Sequence, residues 1–389
     1  MDRERSAPPA PFALWSLGFR PFYLLASIFA AVSVLLWTAQ MSGWFSTYLR
    51  GPLWHGHEML FGYVLAVVAG FLLTAVRNWT AQPTPTGGPL MALAALWVAG
   101  RVLVLTPLAT AAAVVNAAFP LALAVAIGVP LVRSGNRRNY FFLALLALMA
   151  ALIAAVHVAL LGAAELPPRL GLVLGLDVML FIMAVMAGRV VPMFTNNGVP
   201  GTDATRHPMV ERVALGSVLV LLAADLLQLQ AAAIGAVAAI AAFAHGARLV
   251  LWRGWRTLGT PLVWILHAAY AWIVIHLALR ATAAAGWLAE SFAIHALTVG
   301  AIGGLTIGMM TRTARGHTGR PLRADAWETA CYVMILLAAV VRVFGGIIAP
   351  SLYLPSIQLS GLLWAAGFGL YAVRYWPILT RARADGRPG

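Results

Sequence analysis

Two histidines and a glutamate open one of the apolar stretches of the chain, in the segment WHGHEMLFG at residues 54–62. Imidazole nitrogen is the commonest metal ligand among side chains and the usual axial ligand of haem iron. Residues two apart on a helix point in nearly opposite directions, so His55 and His57 share one site only if the helix starts at or after them. Glu58 is placed to orient an imidazole N–H. A zinc-protease motif is excluded, because Phe61 stands where His-Glu-x-x-His needs histidine.

A simpler interpretation of His55 and His57 is anchoring at the membrane interface beside Trp54. Yet other ionisable residues also fall within apolar stretches, and such residues usually face the interior of a helix bundle beside a partner. They predict either one buried polar site or a set of structural pairs, such as Arg101 with Asp177. The further residues of this kind are His157, His267, His276, His295, Asp225 and Arg342.

The residue types limit which metals such a site would hold. Imidazole without thiolate suits haem iron or copper. The single cysteine, Cys331, cannot form an internal disulfide, a Cys-x-x-Cys-His haem attachment or an iron–sulfur ligand set. Any haem is therefore expected to be held without thioether bonds. His267 and His276 fall on opposite faces of one predicted helix, so only one of them is expected to face inward.

Three further motifs have two interpretations or an uncertain role. Gly300, Gly304 and Gly308 form a doubled small-xxx-small pattern, which predicts close helix packing or a face on which a flat macrocycle lies. The arginine-rich segment MTRTARGHTGRPLR at 310–323 fits a topology anchor or a site for phosphate or a haem propionate. In GRVVPMFTNNG, Pro192 is expected to break the helix.

The elements that carry these residues are predicted to be membrane helices. Of the 389 residues, 62% are hydrophobic and 10% are charged, whereas soluble domains are about 45–50% apolar and about 25% charged. Apolar stretches close to the roughly 20 residues that cross a bilayer predict an all-α, polytopic helical bundle. About twelve helices are expected, near 21–41, 56–76, 89–106, 109–132, 140–162, 169–188, 209–229, 231–251, 261–281, 287–310, 326–349 and 357–376.

The arginines predict the orientation of this bundle. All 26 basic residues are arginine, and most of them, including Arg3 and Arg5, fall on one side of the membrane if the N-terminus is inside. The positive-inside rule therefore predicts that both termini are cytoplasmic. The net charge of +14 indicates attraction to anionic lipid headgroups. Nucleic-acid binding is not expected, because the arginines are spread over many short loops.

The connections between the predicted helices are short, which leaves no room for a soluble domain with its own core. We therefore expect one transmembrane domain over residues 1–389, without an internal repeat. No cleavable signal is expected, because the first apolar run is long and begins only after Arg20.

Five stretches together resemble the NnrS family of nitric-oxide-responsive, haem- and copper-containing bacterial membrane proteins, over nearly the whole chain. The resemblance implies a multi-pass protein of the bacterial inner membrane that holds non-covalent b-type haem and copper and protects the cell during nitric oxide stress. Its partners would be the bilayer and a small neutral ligand such as nitric oxide; the resemblance implies no defined enzymatic reaction and no oligomeric state. The stretches are LWSLGFRPFYLLASIFA at 14–30, WHGHEMLFGYVLAVVAGFLLTAVRNWT at 54–80, GRVVPMFTNNG at 188–198, HAAYAW at 267–272 and HALTVGAIGGLTIGMMTRTARGHTGRPL at 295–322.

The resemblance also implies roles for single residues. Two positions depart from the family pattern: Arg77 replaces a proline, and His276 replaces an apolar residue and is taken as peripheral. The implied metal ligands are His55, His57, Glu58, His267 and His295, with His157 in a less specific stretch, and the implied cofactor-binding residues are His267, His295, Arg101 and Asp177.

Two other functions compete with this interpretation. A transporter would use polar residues near the midplane, such as Asp177, Asp225, Arg101 and Arg342, to move a solute or a proton. Against it, no repeat symmetry is evident and the histidines exceed what a minimal proton relay needs. A respiratory oxidase core would need an adjacent His-His pair, and no such dipeptide occurs.

Overall fold

The computed structural model describes residues 12–387, so Arg3 and Arg5 lie outside the described residues. The described chain is almost entirely helical and contains no strand. In chain order the helices are α1 (Phe19–Met41), α2 (Pro52–Thr80), α3 (Gly87–Val104), α4 (Ala109–Arg133), α5 (Phe141–Leu160), α6 (Pro168–Gly198), α7 (Pro208–Leu226), α8 (Ala231–Trp252), α9 (Pro261–Ala284), α10 (Glu290–His317), α11 (Ala326–Ile348) and α12 (Tyr353–Thr380).

This arrangement confirms the predicted all-α, polytopic class. Eleven of the described helices are long and apolar enough to cross a membrane. The remaining helix, α7, has 19 residues and carries Glu211, Arg212 and Asp225. Helices suit such a chain because every backbone polar group inside a bilayer must be satisfied within the segment. Proline occupies the first turn of α2, α6, α7 and α9, where its missing N–H costs no helical hydrogen bond.

Two helices, α2 and α10, lie at the centre of the bundle. They are more deeply buried than the other helices, and the Tyr63 hydroxyl of α2 lies 2.5 Å from Thr306 Oγ1 of α10. Helices that follow one another in the chain pack side by side around them, and α1 packs against α12. Trp364 Nε1 of α12 donates a hydrogen bond to the Ala30 carbonyl at 3.0 Å, which ties the first helix to the last.

The outer face of the bundle is apolar. Large hydrophobic side chains such as Val125, Phe243 and Val373 are mostly exposed. Surfaces of this kind suit contact with lipid, where an apolar exterior has no cost. The chain is therefore a multi-pass membrane protein.

The two ends of the described chain lie on the same side of the bundle. The Ala13 amide donates a hydrogen bond to the Thr380 carbonyl at 2.7 Å. The Arg20 guanidinium, fully buried, donates to the carbonyls of Leu379 and Arg381 at 3.0 and 2.8 Å. An even number of crossings would produce this arrangement; that the side is cytoplasmic stays a prediction.

Helix α6 does not end at Pro192, so the expected helix break is wrong. The helix continues from Pro168 to Gly198. A proline inside a helix removes one hydrogen bond to the residue four positions earlier and crowds its carbonyl. Neighbouring helices and Ser or Thr side chains compensate for this loss in membrane bundles. The continuation of α6 carries its polar end, TNNG, beyond the apolar part of the helix.

Two short segments inside the central helices are wound as π-helix. They are Glu58–Val64 in α2 and Ala296–Ile302 in α10. A π-helical turn inserts an extra residue into the helix, and such turns occur frequently at functional sites. Here each π-helical segment begins directly after a histidine, His57 in α2 and His295 in α10. The irregular backbone therefore coincides with the positions that the sequence marked for chemistry.

Candidate functional site

Two histidines from different helices face each other in the interior. His57 Nε2 of α2 lies 3.1 Å from His157 Nε2 at the end of α5, and both side chains are fully buried. Nothing in their spacing along the sequence showed that they meet. Their rings are nearly perpendicular, with centroids 4.9 Å apart. Two imidazole nitrogens at this separation can coordinate one metal ion without moving far.

The other nitrogen of each ring is held by a partner. His57 Nδ1 lies 2.8 Å from Glu58 Oε1, and His157 Nδ1 lies 3.0 Å from the Tyr48 hydroxyl. Tyr48 belongs to the connection before α2, and burial raises the pKa of its hydroxyl above the ordinary value, so the hydroxyl stays protonated. When both Nδ1 atoms carry hydrogen, both Nε2 lone pairs point at the space between the rings. Such partners fix the orientation of histidines that bind metals.

Glu58 also forms a buried ion pair. Arg101 Nη1 of α3 lies 2.7 Å from Glu58 Oε1. The second nitrogen of the Arg101 guanidinium bonds to Asn116 Oδ1, and Asn116 Nδ2 donates to the Ala112 carbonyl at 2.8 Å. The suggested pairing of Arg101 with Asp177 is therefore wrong. The chain of contacts from Asn116 through Arg101 and Glu58 to His57 crosses three helices.

Gly62 makes room for this arginine. A Cβ atom at this position would lie 2.5 Å from Arg101 Nη1 and 2.7 Å from the ring of Phe29. The carbonyl of Gly62 accepts a hydrogen bond from Trp97 Nε1 at 3.0 Å. The π-helical segment of α2 thus packs closely on α3, which is how Arg101 reaches Glu58.

His55 belongs to a different group from His57. Because α2 begins at Pro52, the two side chains project in different directions, as the helix geometry predicted. The ring of His55 stacks on Trp37 of α1 with a centroid distance of 5.1 Å. Its Nδ1 is buried and has no hydrogen-bond partner within residues 12–387.

His295 and Arg342 lie near His55. His295 Nδ1 donates to the Ser291 carbonyl at 2.6 Å, while Arg342 Nη2 of α11 lies 3.3 Å from the Ser291 hydroxyl. The three side chains are within electrostatic range of one another. Arg342 Nη1 is buried without a hydrogen-bond partner in the described part of the chain. This second group therefore contains the imidazoles of His55 and His295 and the guanidinium of Arg342. His55 Nδ1 and Arg342 Nη1 have no hydrogen-bond partner among the described residues.

His267 lies apart from both groups. Its Nε2 is 2.8 Å from Thr195 Oγ1 near the far end of α6. A Cβ atom on Gly254 would lie 2.8 Å from His267 Nδ1, so backbone packs directly over this side of the ring. His267 is thus engaged on one nitrogen and covered on the other. The family-implied grouping of His267 with His295 is not present in the structure.

Asp177 belongs to a third group, an ion-pair cluster between α6, α7 and α9. Arg280 Nη1 lies 2.8 Å from Asp177 Oδ1, and the other Arg280 terminal nitrogen contacts Asp225 Oδ2. Arg280 was not among the residues that the sequence analysis singled out, so it was missed as the partner of Asp177. Its position inside α9, as the fifth residue from the end of the helix and after an apolar run, was the available signal.

His276 is buried too, although it was expected to be peripheral. Its Nδ1 donates to the Ala293 carbonyl at 2.8 Å, and its Nε2 is buried without a hydrogen-bond partner among the described residues. His267 and His276 are 6% and 4% exposed. The expectation that only one of them faces inward is therefore wrong, because other helices cover α9 on both faces.

The glycine pattern of α10 is filled by a neighbouring helix. A Cβ atom on Gly300 would lie 2.3 Å from Trp272 Cγ, and one on Gly304 would lie 2.6 Å from Ala269 Cβ. Gly308 faces Ile265 in the same way, at 3.0 Å. The glycines therefore serve close packing of α10 on α9. A macrocycle does not fit on this face.

The basic segment 310–323 continues α10 as far as His317. Arg315 Nη1 lies 2.6 Å from Glu328 Oε1 of α11, and Arg315 Nε donates to the Pro321 carbonyl at 2.8 Å. The guanidinium of Arg312 lies 3.8 Å from the centre of the Phe194 ring. These two arginines thus bind side chains and a backbone carbonyl of the protein rather than leaving their guanidinium groups open to a ligand.

No three His, Cys, Asp or Glu side chains in the described chain come together in a way that could hold a metal ion. The predicted ligands instead fall into the pair His57–His157, the group of His55, His295 and Arg342, the isolated His267, and the Asp177 cluster. The pair fits a metal with two imidazole ligands, because Glu58 and Tyr48 hold the Nδ1 atoms and leave the two Nε2 atoms facing each other.

The family model described as NnrS protein matches residues 13–383, nearly the entire chain. This chain belongs to the NnrS family. Membership fits a nitric-oxide-related membrane protein. No curated protein matches the NnrS chain described here.

Proposed function

We propose that this NnrS-family protein is a haem- and copper-binding protein of the bacterial inner membrane that acts in the response to nitric oxide. The observation that carries the proposal is the pair of buried Nε2 atoms, 3.1 Å apart, with each Nδ1 held by Glu58 or Tyr48. Imidazole suits copper, and partners behind the ring raise the basicity of the ligand.

His57 and His157 would hold copper in this proposal. These two residues would hold the copper through two imidazoles only, so the bound ion would be free to take a small neutral ligand. The surrounding residues fix the two rings: Glu58 is paired with Arg101, and Tyr48 stays protonated. Burial of both histidines excludes bulk water from the space between them. A small neutral ligand partitions into lipid and would reach the site through the bilayer.

Haem would bind at His295. The Nδ1 of His295 is bonded to a backbone carbonyl, an arrangement that leaves the Nε2 of a histidine for a metal. The free Nδ1 of His55 offers a second imidazole, and the free nitrogen of Arg342 suits a propionate. The other residues implied for cofactor binding, His267, Arg101 and Asp177, lie outside this group.

Metal content and the absorption spectrum test this proposal. We expect protein purified from cells supplied with haem and copper to contain both. Copper should be lost from His57→Gln and His157→Gln with the Soret band retained, and the Soret band should be lost from His295→Gln. His207→Gln, which changes an exposed histidine, is the matched control. Colourless, metal-free wild-type protein would overturn the proposal.

The alternative function, a transporter, rests on the buried ion pair of Glu58 with Arg101 and on the partly buried pairs of Arg280 with Asp177 and Asp225. Buried ionisable groups are typical of substrate and proton pathways. Metal-free protein that moves protons across a liposome membrane, and loses this activity in Asp177→Asn, would favour the transporter.

A further inference from the structure

A cavity of about 590 Å³ lies between α2, α6, α10 and the connection from α4 to α5. No residue of either histidine group lines it. Three arginines line it, Arg138, Arg189 and Arg206. By the predicted orientation, the cavity opens toward the cytoplasmic side, where anionic lipids carry the negative surface charge.

A network of amides positions the central arginine. Arg189 Nη1 donates to Asn139 Oδ1 at 3.0 Å, and Asn139, which is buried, donates to Asn136 Oδ1 at 3.0 Å. Asn136 in turn donates to the Trp79 carbonyl at 3.2 Å. All four residues line the cavity. The network fixes the orientation of the Arg189 guanidinium. Its partner is the neutral amide oxygen of Asn139, so the positive charge of Arg189 is not neutralised.

The positive charge of the cavity is largely uncompensated. Neither Arg138 nor Arg189 has a carboxylate within 4 Å among residues 12–387. Arg206 contacts Glu211 at 3.3 Å, but Arg248 binds the same carboxylate through two shorter contacts, at 2.9 and 3.0 Å. A cluster of guanidinium groups with free donors recognises phosphate or carboxylate.

The remaining walls are apolar. They include the aromatic rings of Phe71 and Phe194 and the flexible side chains of Met186, Met193 and Met309. Methionine adapts its shape to different apolar ligands. A small inorganic anion would contact only the arginines. An anion with an apolar body would contact both the arginines and the apolar side chains of the cavity.

The geometry points to a binding site for an amphiphile whose phosphate group carries a net negative charge, with the phosphate on Arg138, Arg189 and Arg206 and the apolar body against the methionines and phenylalanines. Basic pockets between membrane helices on the cytoplasmic side bind the headgroups of anionic lipids. The same chemistry is present in a soluble organic phosphate with an apolar group. The site lies apart from the metal ligands and does not depend on them.

Calorimetric titration of the full-length protein in detergent tests the assignment. The probes are dihexanoyl phosphatidic acid, phenyl phosphate, inorganic phosphate and, as the neutral lipid, dihexanoyl phosphatidylcholine. We expect the two anionic amphiphiles, phosphatidic acid and phenyl phosphate, to bind more tightly than inorganic phosphate. Phosphatidylcholine should not bind, because choline neutralises the charge of its phosphate. Tighter binding of phosphatidic acid assigns the ligand to the bilayer, and tighter binding of phenyl phosphate assigns it to the cytoplasm.

The variants Arg189→Gln and Arg138→Gln should each weaken binding of the phosphate amphiphile about tenfold, because each removes a charge-assisted hydrogen bond. Arg138 is exposed, so its variant keeps the fold even if Arg189→Gln does not. Arg133→Gln removes the same charge from an exposed position outside the cavity and should bind like the wild type. The assignment would be overturned if Arg189→Gln and Arg138→Gln bound the amphiphile as tightly as Arg133→Gln. It would also be overturned if inorganic phosphate bound as tightly as the amphiphiles, or if phosphatidylcholine bound.

Discussion

At the scale of single residues, the orientation of His57 depends on Glu58. The carboxylate lies between the imidazole and the Arg101 guanidinium, at 2.8 and 2.7 Å. Removing one member of a buried ion pair leaves the other charge without compensation. Glu58 therefore has two roles: it orients His57, the proposed copper ligand, and it pairs with Arg101 where α2 packs on α3.

Glu58→Gln is expected to affect both roles. Copper affinity should fall by about 10- to 100-fold, which is typical of lost partners behind a metal-binding histidine. The free energy of unfolding should fall by on the order of 3 kcal/mol, because Arg101 stays buried without its counter-charge. Competition with a copper chelator measures the first effect, and denaturant unfolding measures the second.

Glu165→Gln is the matched control, because Glu165 is exposed in the connection before α6. It should leave copper affinity and stability unchanged. If Glu58→Gln binds copper as tightly as the wild type, the orienting role of Glu58 is wrong. If it keeps full stability, Arg101 does not depend on the ion pair.

The sequence predicted part of this site. The divergence of His55 from His57 followed from the angle between residues on a helix. The pairing of Glu58 with Arg101, and of Asp177 with Arg280, did not follow, because hydropathy gives the depth of a residue but not its neighbours on other helices. His267 and His295 were both assigned to cofactor binding by family resemblance, but His267 contacts Thr195 of α6 and His295 contacts Ser291 of its own helix.

At the scale of helices, the glycines of α10 set how closely the bundle centre packs. Gly300 lies against Trp272 so tightly that a single methyl group would overlap the indole. Overpacked interior positions force neighbouring side chains and backbone to shift. The α9–α10 interface therefore depends on the absence of a side chain.

Gly300→Ala is expected to lower the free energy of unfolding by about 1–3 kcal/mol. Denaturant unfolding followed by circular dichroism measures the change. Gly216→Ala is the matched control: this helical glycine of α7 has open space around it, and alanine there should be neutral or stabilise by about 0.5–1 kcal/mol. Gly300→Ala with full stability and a lost Soret band would contradict the packing role and favour a macrocycle on this face.

Most helices could be located from the sequence, because apolar length determines a membrane helix. The predicted 231–251 is close to the observed Ala231–Trp252. Helix α6 was predicted too short, ending at 188, because Pro192 and the polar residues after it were taken as a break. The π-helical segments had no signal, since they are defined by hydrogen bonding and their composition is that of ordinary helix.

At the scale of the molecule, α1 and α12 close the bundle and bring the two described ends together. Arg20 is buried where they meet and bonds to the last carbonyls of α12. The positive-inside rule predicts that this side is cytoplasmic.

Fusion reporters test the orientation. Green fluorescent protein fused to the C-terminus should fluoresce, and alkaline phosphatase at the same position should be inactive, because phosphatase becomes active only after export. Alkaline phosphatase fused after Gly286, in the connection between α9 and α10, should be active. The opposite pattern would show that the N-terminus is outside, and would place the arginine-lined cavity on the external face.

The extra residue in each central helix has a consequence for how the histidines are aimed. If the same 7 residues, Glu58–Val64, were wound as ordinary α-helix, the part of α2 before them would turn by about 100° and shift by about 1.5 Å, which are the turn and rise of one residue. The C-terminal part of α2, from Leu65 onward, would keep its contacts, but the His57 side chain would rotate away from His157. Each π-helical segment thus sets the rotation of the helix before it relative to the helix after it. The later part of the helix can then pack in the bundle while the histidine at the start of the segment keeps its orientation.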